Sequence, residues 1–519
     1  MARPRTVAVP AALAAAAALI VSGCTTGSSG SSSSGGGDAF RFATVSDANT
    51  FDPALGTAAT DYTFARMQFA TLVYRDADHT ILPGLAEKWT STPDSATFTL
   101  RKGLTCSDGK PLTAADVAAS LRRFADPATG AAQAPLAFGP GAKVTVTSDD
   151  TAGTVGIKLA RAWSDMVPAL ALTGAGIVCG PGLKDPKALA RGPVAGAGTG
   201  PYTLTDVQRG RAYTFKLRDG YNAFPAYKKE PQGKRAATVK LSIVSNESTA
   251  ANQLSTGALD YVAFTGPDAA RFAGGNYTVT VAPLLRMFIV FNERPGHPGA
   301  DPRFRKAVAQ ALDPNAFNRV YGGKGEVMKS YSDSTSPCAN TDDSLVTRTD
   351  PAAAKTVLNG ASVRISGTNG IANGSGNTYV QEALRAAGAK TTLRNVDNAT
   401  WATEVLGNKG DWDVTLMGHL NFSGTLTPGA MLLTGPNPPA GRNFGGVQNP
   451  GFTAGLAKAM ATTDQTQKCG AWGEAQKALL ERNDVVPLST VPVAYVWSKN
   501  VDGVVANGAA DPAGFRVKG

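Results

Sequence analysis

Motifs of the common enzyme classes are missing from this 519-residue sequence. Its three histidines, His79, His297 and His419, lie far apart. None of the patterns His-Glu-x-x-His, Gly-x-x-x-x-Gly-Lys-Ser/Thr, Cys-x-x-Cys or Gly-x-Ser-x-Gly occurs, which argues against the protease, phosphate-binding, redox and hydrolase chemistries that depend on them. We therefore expect no catalytic residues, no metal site and no cofactor.

One pattern would suit a secreted serine acyl-enzyme. Ser107 and Lys110 have the spacing Ser-x-x-Lys, but the lysine must lie one helical turn from the serine to accept its proton, and Asp108-Gly109 favours a tight turn. The glycine-rich stretch 196–200 leads to Pro201 and a strand pattern, whereas a dinucleotide site needs a helix N-terminus there. The acyl-enzyme is kept only as an alternative.

Long apolar runs and basic clusters are also scarce. Beyond the first 23 residues no stretch approaches the ~20 apolar residues that cross a bilayer. The formal net charge is +10, but Lys and Arg are scattered and no basic run alternates with aromatic residues, which argues against a nucleic-acid partner. The body of about 480 residues is long enough for more than one hydrophobic core.

The single long apolar run, residues 7–21, follows two arginines and ends in small residues before Cys24. This order is typical of a lipoprotein signal peptide, residues 1–23, with an acyl (palmitate) anchor on the cysteine; an ordinary cleaved secretory signal is the alternative. Residues 24–37 continue as a Ser/Gly tether, which is flexible by composition. We expect a lipid-anchored protein on the extracytoplasmic face of the cell membrane, with an ordered body from about Asp38.

Four cysteines are left for the body. Outside the cytoplasm they predict two disulfides, for which three pairings are possible. A zinc site is less consistent with the sequence, because no two of these cysteines are closely spaced. The four residues are Cys106, Cys179, Cys338 and Cys469.

Strand-like and helix-like segments alternate along the body. Residues 96–101 alternate apolar with polar side chains, as a half-buried strand does, and Thr113 with Asp116 then supplies a capping box at the start of a helix. A helix-then-strand order returns at residues 379–396, 401–417 and 471–488. The pattern predicts an α/β fold with mixed sheets.

Several blocks, in order, resemble the family-5 extracellular solute-binding proteins, the peptide- and nickel-type receptors of ATP-binding-cassette importers. The resemblance covers nearly the whole chain after the tether. The blocks are residues 83–89, 96–103, 108–117, 198–202, 254–260, 291–292 with 301–313, and 350–351 with 354–355 and 358.

The resemblance implies a two-lobe fold of the periplasmic-binding-protein type (class II) with a hinge of crossover strands. Lobe I would be residues 38–287 with a C-terminal return at 488–519, and lobe II residues 288–487. A disulfide between lobes would block hinge motion, so the resemblance favours Cys106–Cys179 and Cys338–Cys469.

The function implied is that of a monomeric receptor that captures an oligopeptide or similar small solute between the lobes and delivers it to membrane permease subunits. A ligand-sensing lipoprotein without transport is a second alternative.

Peptide-binding members usually hold the α-ammonium with an aspartate just after the strand that here spans residues 412–417. Residues 418–431 contain no acid, so either the ligand is not a free-amine peptide, or Asp411 or Asp413 serves instead. Arg286 could pair with a ligand carboxylate. The predicted ligand-binding residues are Asn49, Thr50, Phe51, Phe264, Arg286, Met287, Phe288, His419, Asn421 and Phe422.

Overall fold

The computed structural model describes residues 39–506 and 508–518. The predicted signal peptide, Cys24, the tether and Asp38 lie outside the described residues. No helix in the described part of the chain is long and apolar enough to cross a membrane.

Nineteen strands are formed by the described residues. They are β1 (Ala39–Thr44), β2 (Val73–Arg75), β3 (Ile81–Pro83), β4 (Ala86–Thr92), β5 (Ser95–Leu100), β6 (Val144–Asp149), β7 (Thr154–Leu159), β8 (Tyr202–Gln208), β9 (Ala212–Leu217), β10 (Lys234–Arg235), β11 (Thr238–Ile243), β12 (Tyr261–Phe264), β13 (Tyr277–Phe291), β14 (Ser362–Thr368), β15 (Lys390–Val396), β16 (Val414–Leu420), β17 (Val485–Ser498), β18 (Val501–Ala506) and β19 (Ala509–Val517).

Fifteen α-helices accompany them in the same residues. They are α1 (Ala59–Gln68), α2 (Ala114–Ala125), α3 (Ala134–Phe138), α4 (Met166–Ala169), α5 (Gly180–Lys184), α6 (Pro186–Arg191), α7 (Glu247–Ser255), α8 (Pro302–Ala311), α9 (Pro314–Val320), α10 (Pro351–Leu358), α11 (Ser375–Ala386), α12 (Asn398–Trp401), α13 (Thr427–Ala430), α14 (Pro450–Met460) and α15 (Gln465–Glu481). A π-helical turn, Ala402–Leu406, continues α12.

A ten-stranded mixed sheet runs through the molecule in the order β15-β14-β16-β13-β17-β12-β1-β11-β9-β8. Its two central strands are the longest: β13 has 15 residues, β17 has 14, and they pair antiparallel over most of their length. On its other side β13 pairs with β16, while β17 pairs with β12. The two long strands therefore connect the strands of residues 288–487, the middle segment, with those of residues 39–287, the first segment.

A smaller sheet, in the order β4-β5-β7-β6, packs against α2. The helix begins as predicted: the Thr113 hydroxyl accepts a hydrogen bond from the Asp116 N–H at 3.1 Å, and the Asp116 carboxylate accepts one from the Thr113 N–H at 3.1 Å. Val117 and Leu121 on the inner face of α2 are buried beside Phe98 of β5. The capping box thus sets the start of a helix whose apolar face covers this sheet.

The end of the chain returns to its beginning. Strand β19 lies between β10 and β18 in a three-stranded sheet. Phe515 of β19 stacks on Phe40 of β1, with ring centroids 4.0 Å apart and an interplanar angle of 8°. This packing places residues 508–518 beside the first strands of the large sheet.

Both predicted disulfides form. Cys106 bonds to Cys179 and Cys338 bonds to Cys469. The first bond lies within the segment before residue 287, and the second lies within the segment 288–487. Neither one crosses between the two segments, which confirms the pairing implied by the resemblance.

Candidate functional site

A cavity of about 450 Å³ lies where β1, α1, β12 and the C-terminal strands meet the segment 288–487. Its volume lies within the range of small-molecule sites, about 300–1,000 Å³. Most of the lining comes from the first and last parts of the chain, and two residues, Gly370 and Phe422, come from the middle segment. The lining includes the aromatic and charged side chains of Tyr62, Arg66, Arg75, Glu247, Phe422 and Asp511.

Two aromatic rings close one side of the cavity. Tyr62 on α1 and Phe422 in the loop after β16 meet edge to face, with ring centroids 5.2 Å apart and an interplanar angle of 72°. Both line the cavity. Since one ring belongs to the first segment and the other to the middle segment, opening the cleft would separate them.

Two guanidinium groups line the cavity without a carboxylate partner within 4.0 Å among the described residues. Arg66 donates to the Thr71 hydroxyl at 3.0 Å and to the Ala171 carbonyl at 2.6 Å. Arg75 is 5% exposed and donates only to backbone carbonyls, those of His79 and Pro168. Desolvation lowers the pKa of Arg75 to about 10, so the group stays charged at neutral pH.

Two carboxylates also line the cavity. Glu247, at the start of α7, accepts hydrogen bonds from the backbone N–H groups of Thr265 and Gly266, both at 2.9 Å. Asp511 on β19 is 8% exposed and accepts one from the Ala513 N–H at 3.0 Å. The cavity therefore presents charges of both signs to a ligand.

Of the ten predicted ligand-binding residues, Phe422 alone is among the residues that line this cavity. Four apolar ones lie within hydrophobic cores: Phe51, Phe264, Met287 and Phe288. Asn49 is exposed and bonds to Asp61 through its N–H at 2.7 Å, while the Thr50 hydroxyl donates to the Ala190 carbonyl at 3.3 Å. Direct ligand contact by these residues stays a prediction.

Polar residues on the paired strands β13 and β16 form a buried group next to the cavity. Arg286 and His419 are register partners, and Arg286 forms an ion pair with the buried Asp333. His419 is 7% exposed, and its Nε2 has no hydrogen-bond partner among the described residues. Burial, followed by the charges of Arg286 and Arg442, lowers the pKa of His419 to about 3. Asn421 donates to the Thr425 carbonyl at 2.9 Å and to the Ser336 hydroxyl at 3.2 Å.

Asp411 and Asp413, the two alternative anchors for an ammonium group, lie at the start of β16, whereas the cavity residue Phe422 follows its end. Asp413 precedes this seven-residue strand and Phe422 follows it, so the two ends are about 20 Å apart. Arg364 engages both acids, and its Nη2 lies 2.6 Å from the Asp413 Oδ1. Burial opposes ionisation, but hydrogen bonds from Arg364 hold the pKa of Asp413 below its ordinary value. These carboxylates are engaged in structural pairs.

The Ser-x-x-Lys pattern forms no catalytic pair. The Ser107 hydroxyl accepts from the Gly198 N–H at 3.2 Å, and the exposed Lys110 ammonium lies 2.9 Å from the Asp108 carboxylate. Gly198 itself belongs to the glycine-rich loop, which approaches the backbone of Gln68 closely. Both motifs thus serve the packing of a turn against a loop.

Sequence reasoning missed most of the charged lining: Arg66, Arg75 and Asp511. The one local signal is the spacing of Tyr62 and Arg66, four residues apart and hence on one face of α1. Nothing in the sequence connects that helix with residue 511, because the two come together only through the pairing of the long strands.

A large mixed sheet shared by two segments, joined by long strands and enclosing a ligand-sized cavity, defines a two-lobe solute-binding receptor. Residues 80–438 match the model of the bacterial extracellular solute-binding proteins, family 5 (middle region). The chain belongs to this family.

Individual relatives cover nearly the whole chain. A substrate-binding protein from Microbacterium hydrocarbonoxydans, solved in complex with 4-hydroxybenzoate hydrazide, is 36% identical, with a TM-score of 0.81 over 93% of this chain and 100% of that one. The probable D,D-dipeptide-binding periplasmic protein DdpA of Escherichia coli is 26% identical over 91% of this chain and 92% of its own length. The glutathione-binding protein GsiB of Salmonella typhimurium is 25% identical over 89% of this chain and 90% of its own.

The prediction of function is confirmed at the level of class: the protein is an extracytoplasmic substrate-binding receptor of an ATP-binding-cassette importer.

Proposed function

We propose that the receptor captures a small polar solute, of the size of a dipeptide or an aryl hydrazide, in the cavity behind Tyr62 and Phe422. The cavity volume of about 450 Å³ lies in the lower half of the range found for small-molecule sites, about 300–1,000 Å³. That space suits a short ligand and not an extended oligopeptide. The relatives named for a D,D-dipeptide and for glutathione, and the relative crystallised with 4-hydroxybenzoate hydrazide, support the same size class.

The contact of Tyr62 with Phe422 is the observation that carries the proposal. It joins the two segments at the wall of the cavity, so a ligand that fills the cavity stabilises the closed arrangement more than an open one. We assign lobe I to residues 38–287 with the return 488–519, and lobe II to residues 288–487, with β13 and β17 as crossover strands. No chemical change of the ligand is required.

We further propose that Cys24 carries a lipid anchor and that the receptor works as a monomer beside its permease. The charge pattern of the first residues and the small residues before Cys24 support the anchor.

The test is isothermal titration and thermal unfolding of the purified protein with four compounds: D-alanyl-D-alanine, glutathione, 4-hydroxybenzoate hydrazide and hexa-alanine. A true ligand present at 100 times its Kd adds about 2.7 kcal/mol to the free energy of unfolding. We expect stabilisation by at least one of the three small compounds. Stabilisation by hexa-alanine alone, or by none, would contradict the size class.

A matched pair of variants links binding to this cavity. Phe422→Ala removes a cavity ring, while Tyr277→Ala removes a half-buried ring that packs on Phe272, outside the cavity lining. We expect weaker binding only for Phe422→Ala. Equal affinities of the two variants would place the ligand elsewhere.

A further inference from the structure

Asp511 is a buried carboxylate with few hydrogen-bond donors and, among the described residues, no close cation. Its oxygens have no cation within 4.0 Å in the described part of the chain; they accept a hydrogen bond from the Ala513 N–H at 3.0 Å and face the Tyr227 hydroxyl. Asp61, which also lacks a cation, accepts from the backbone N–H groups of Asn49, Thr57 and Ala58. Asp511 is therefore held by fewer backbone donors than Asp61, and its carboxylate has room for a further donor from a ligand.

Two buried hydroxyl groups, those of Tyr74 and Tyr227, lie around Asp511. The Tyr227 hydroxyl interacts with the Asp511 carboxylate, and the Tyr74 hydroxyl interacts with Arg66, although neither contact has the geometry of a normal hydrogen bond. Burial raises the pKa of both tyrosines, and the Asp511 charge raises each further. The carboxylate and the two hydroxyls therefore form one buried polar group at an end of the cavity.

A guanidinium lies on the other side of the same tyrosine. The Arg66 guanidinium carbon is 4.9 Å from the centroid of the Tyr74 ring, and its charge, like that of Asp511, acts on the Tyr74 hydroxyl. Arg66 and Asp511 nevertheless form no ion pair with each other among the described contacts. Both line the cavity, together with Arg75, which has no carboxylate within 4.0 Å among the described residues. Opposite charges are thus held near each other and left open to a ligand.

We propose that Asp511 is the anchor for a nitrogen donor of the ligand, and that Arg66 and Arg75 bind a carboxylate or carbonyl at its other end. The ligand class is then a dipolar small solute, with an ammonium or hydrazide nitrogen and an oxygen acceptor. This inference rests on the proposed function. It places the nitrogen anchor in the C-terminal hairpin, on the lobe opposite to the loop 418–431, which has no acid.

The test compares Asp511→Asn with Asp502→Asn. Asp502 lies on β18 of the same hairpin, pairs with Lys518 at 3.6 Å and is not part of the cavity lining. Two pairs of probes differ in the nitrogen group: D-alanyl-D-alanine with its N-acetyl derivative, and 4-hydroxybenzoate hydrazide with methyl 4-hydroxybenzoate. We expect Asp511→Asn to raise the Kd of the free-nitrogen probe about 10- to 100-fold, and to change that of its blocked partner less than about threefold. Asp502→Asn leaves both unchanged.

Equal losses for both members of a probe pair, or no loss for either, would overturn the role of Asp511 while leaving the proposed function intact. If the wild-type protein binds none of the probes, the proposed function fails, and a second measurement decides on Asp511. In the ligand-free protein, Asp511→Asn should not lower the unfolding midpoint, because no cation in the described part of the chain lies within 4.0 Å of this carboxylate to lose its partner. A lowered midpoint would show that the carboxylate is structural and would overturn the inference.

Discussion

Asp165 and Lys468 form a buried ion pair between residues 303 positions apart in the sequence. Their side chains are 3% and 13% exposed. Asp165 also accepts a hydrogen bond from the Thr427 hydroxyl, and the neighbouring Ser164 N–H donates to the Met460 carbonyl at 3.0 Å. Asp165 belongs to the first segment and the other partners to the middle segment. A polar contact outside the cavity therefore holds the two segments together.

Replacing Lys468 by methionine should destabilise the protein strongly, because Asp165 would be left buried without its cation. The expected loss is about 3–5 kcal/mol in the free energy of unfolding, measured by urea denaturation. The control is Lys477→Met on the same helix, whose Nζ lies 3.7 Å from the exposed Glu481 carboxylate; such a pair contributes less than about 1 kcal/mol. Similar losses of unfolding free energy in both variants would show that the buried ion pair contributes no more than the exposed one.

His419 should make the stability depend on pH below about 6.5. Its folded-state pKa is lowered to about 3 by burial and then by Arg286 and Arg442, whereas the unfolded chain takes up the proton near pH 6.5. Above pH 6.5 the neutral imidazole is present in both states and the fold keeps its full stability. Between pH 6.5 and pH 3 only the unfolded chain binds the proton, so the free energy of unfolding falls by about 1.4 kcal/mol for each pH unit.

The variant His419→Gln should flatten the curve of unfolding free energy between pH 6 and pH 4 by about one proton. Parallel curves for His419→Gln and the wild type would disprove the assignment.

Local elements were predictable from the sequence, but the cavity was not. Thr113 and Asp116 act within one turn, and the predicted helix begins where they place it. For β17 the sequence pattern predicts a strand only over residues 485–488, although the strand continues to Ser498. Its continuation pairs with β12 and β13, so the strand that joins the lobes is defined by long-range pairing that periodicity does not show.

The face of the strand on which a side chain lies also decides whether a predicted site residue lines the cavity. Phe264, Met287 and Phe288 come from strands near the crossover, but these side chains are buried in cores. An apolar residue next to a cleft points to the core or to the ligand according to the face of its strand, and a one-residue shift reverses the face. Asp511 lies more than 400 residues from Arg66 in the sequence, so only the folded chain brings them to one cavity.

The two disulfides should stabilise the lobes independently. They close separations of 73 and 131 residues, and loss of either should cost about 2–5 kcal/mol. Unfolding of the variants Cys106→Ser/Cys179→Ser and Cys338→Ser/Cys469→Ser, each with one bond intact, measures the two contributions separately. Additive losses in the quadruple variant are expected. A wild-type protein that is insensitive to full reduction would contradict this prediction.

The lipid anchor can be tested without any ligand. Cys24→Ser removes the proposed acceptor of the acyl group, so the protein should move from the membrane fraction to the medium. Cys338→Ser is a suitable control, because it removes a thiol from the body and should leave the protein at the membrane. Retention of the Cys24→Ser protein at the membrane would refute the anchor, and release of both variants would point to a folding defect.

The ring of Tyr62 should control how long a ligand stays bound. Because it meets Phe422 across the two lobes at a centroid distance of 5.2 Å, its loss removes a contact that exists only when the cavity is closed. Edge-to-face pairs contribute about 0.5–1.5 kcal/mol beyond their buried area, so Tyr62→Ala should increase about tenfold the dissociation rate of whichever small compound the titrations identify as a ligand. Tyr62→Phe keeps the ring and should change the rate less than about twofold. Stopped-flow displacement measures both rates. If Tyr62→Phe releases the ligand as fast as Tyr62→Ala, the hydroxyl and not the ring retains the ligand, and the contact with Phe422 does not close the cavity.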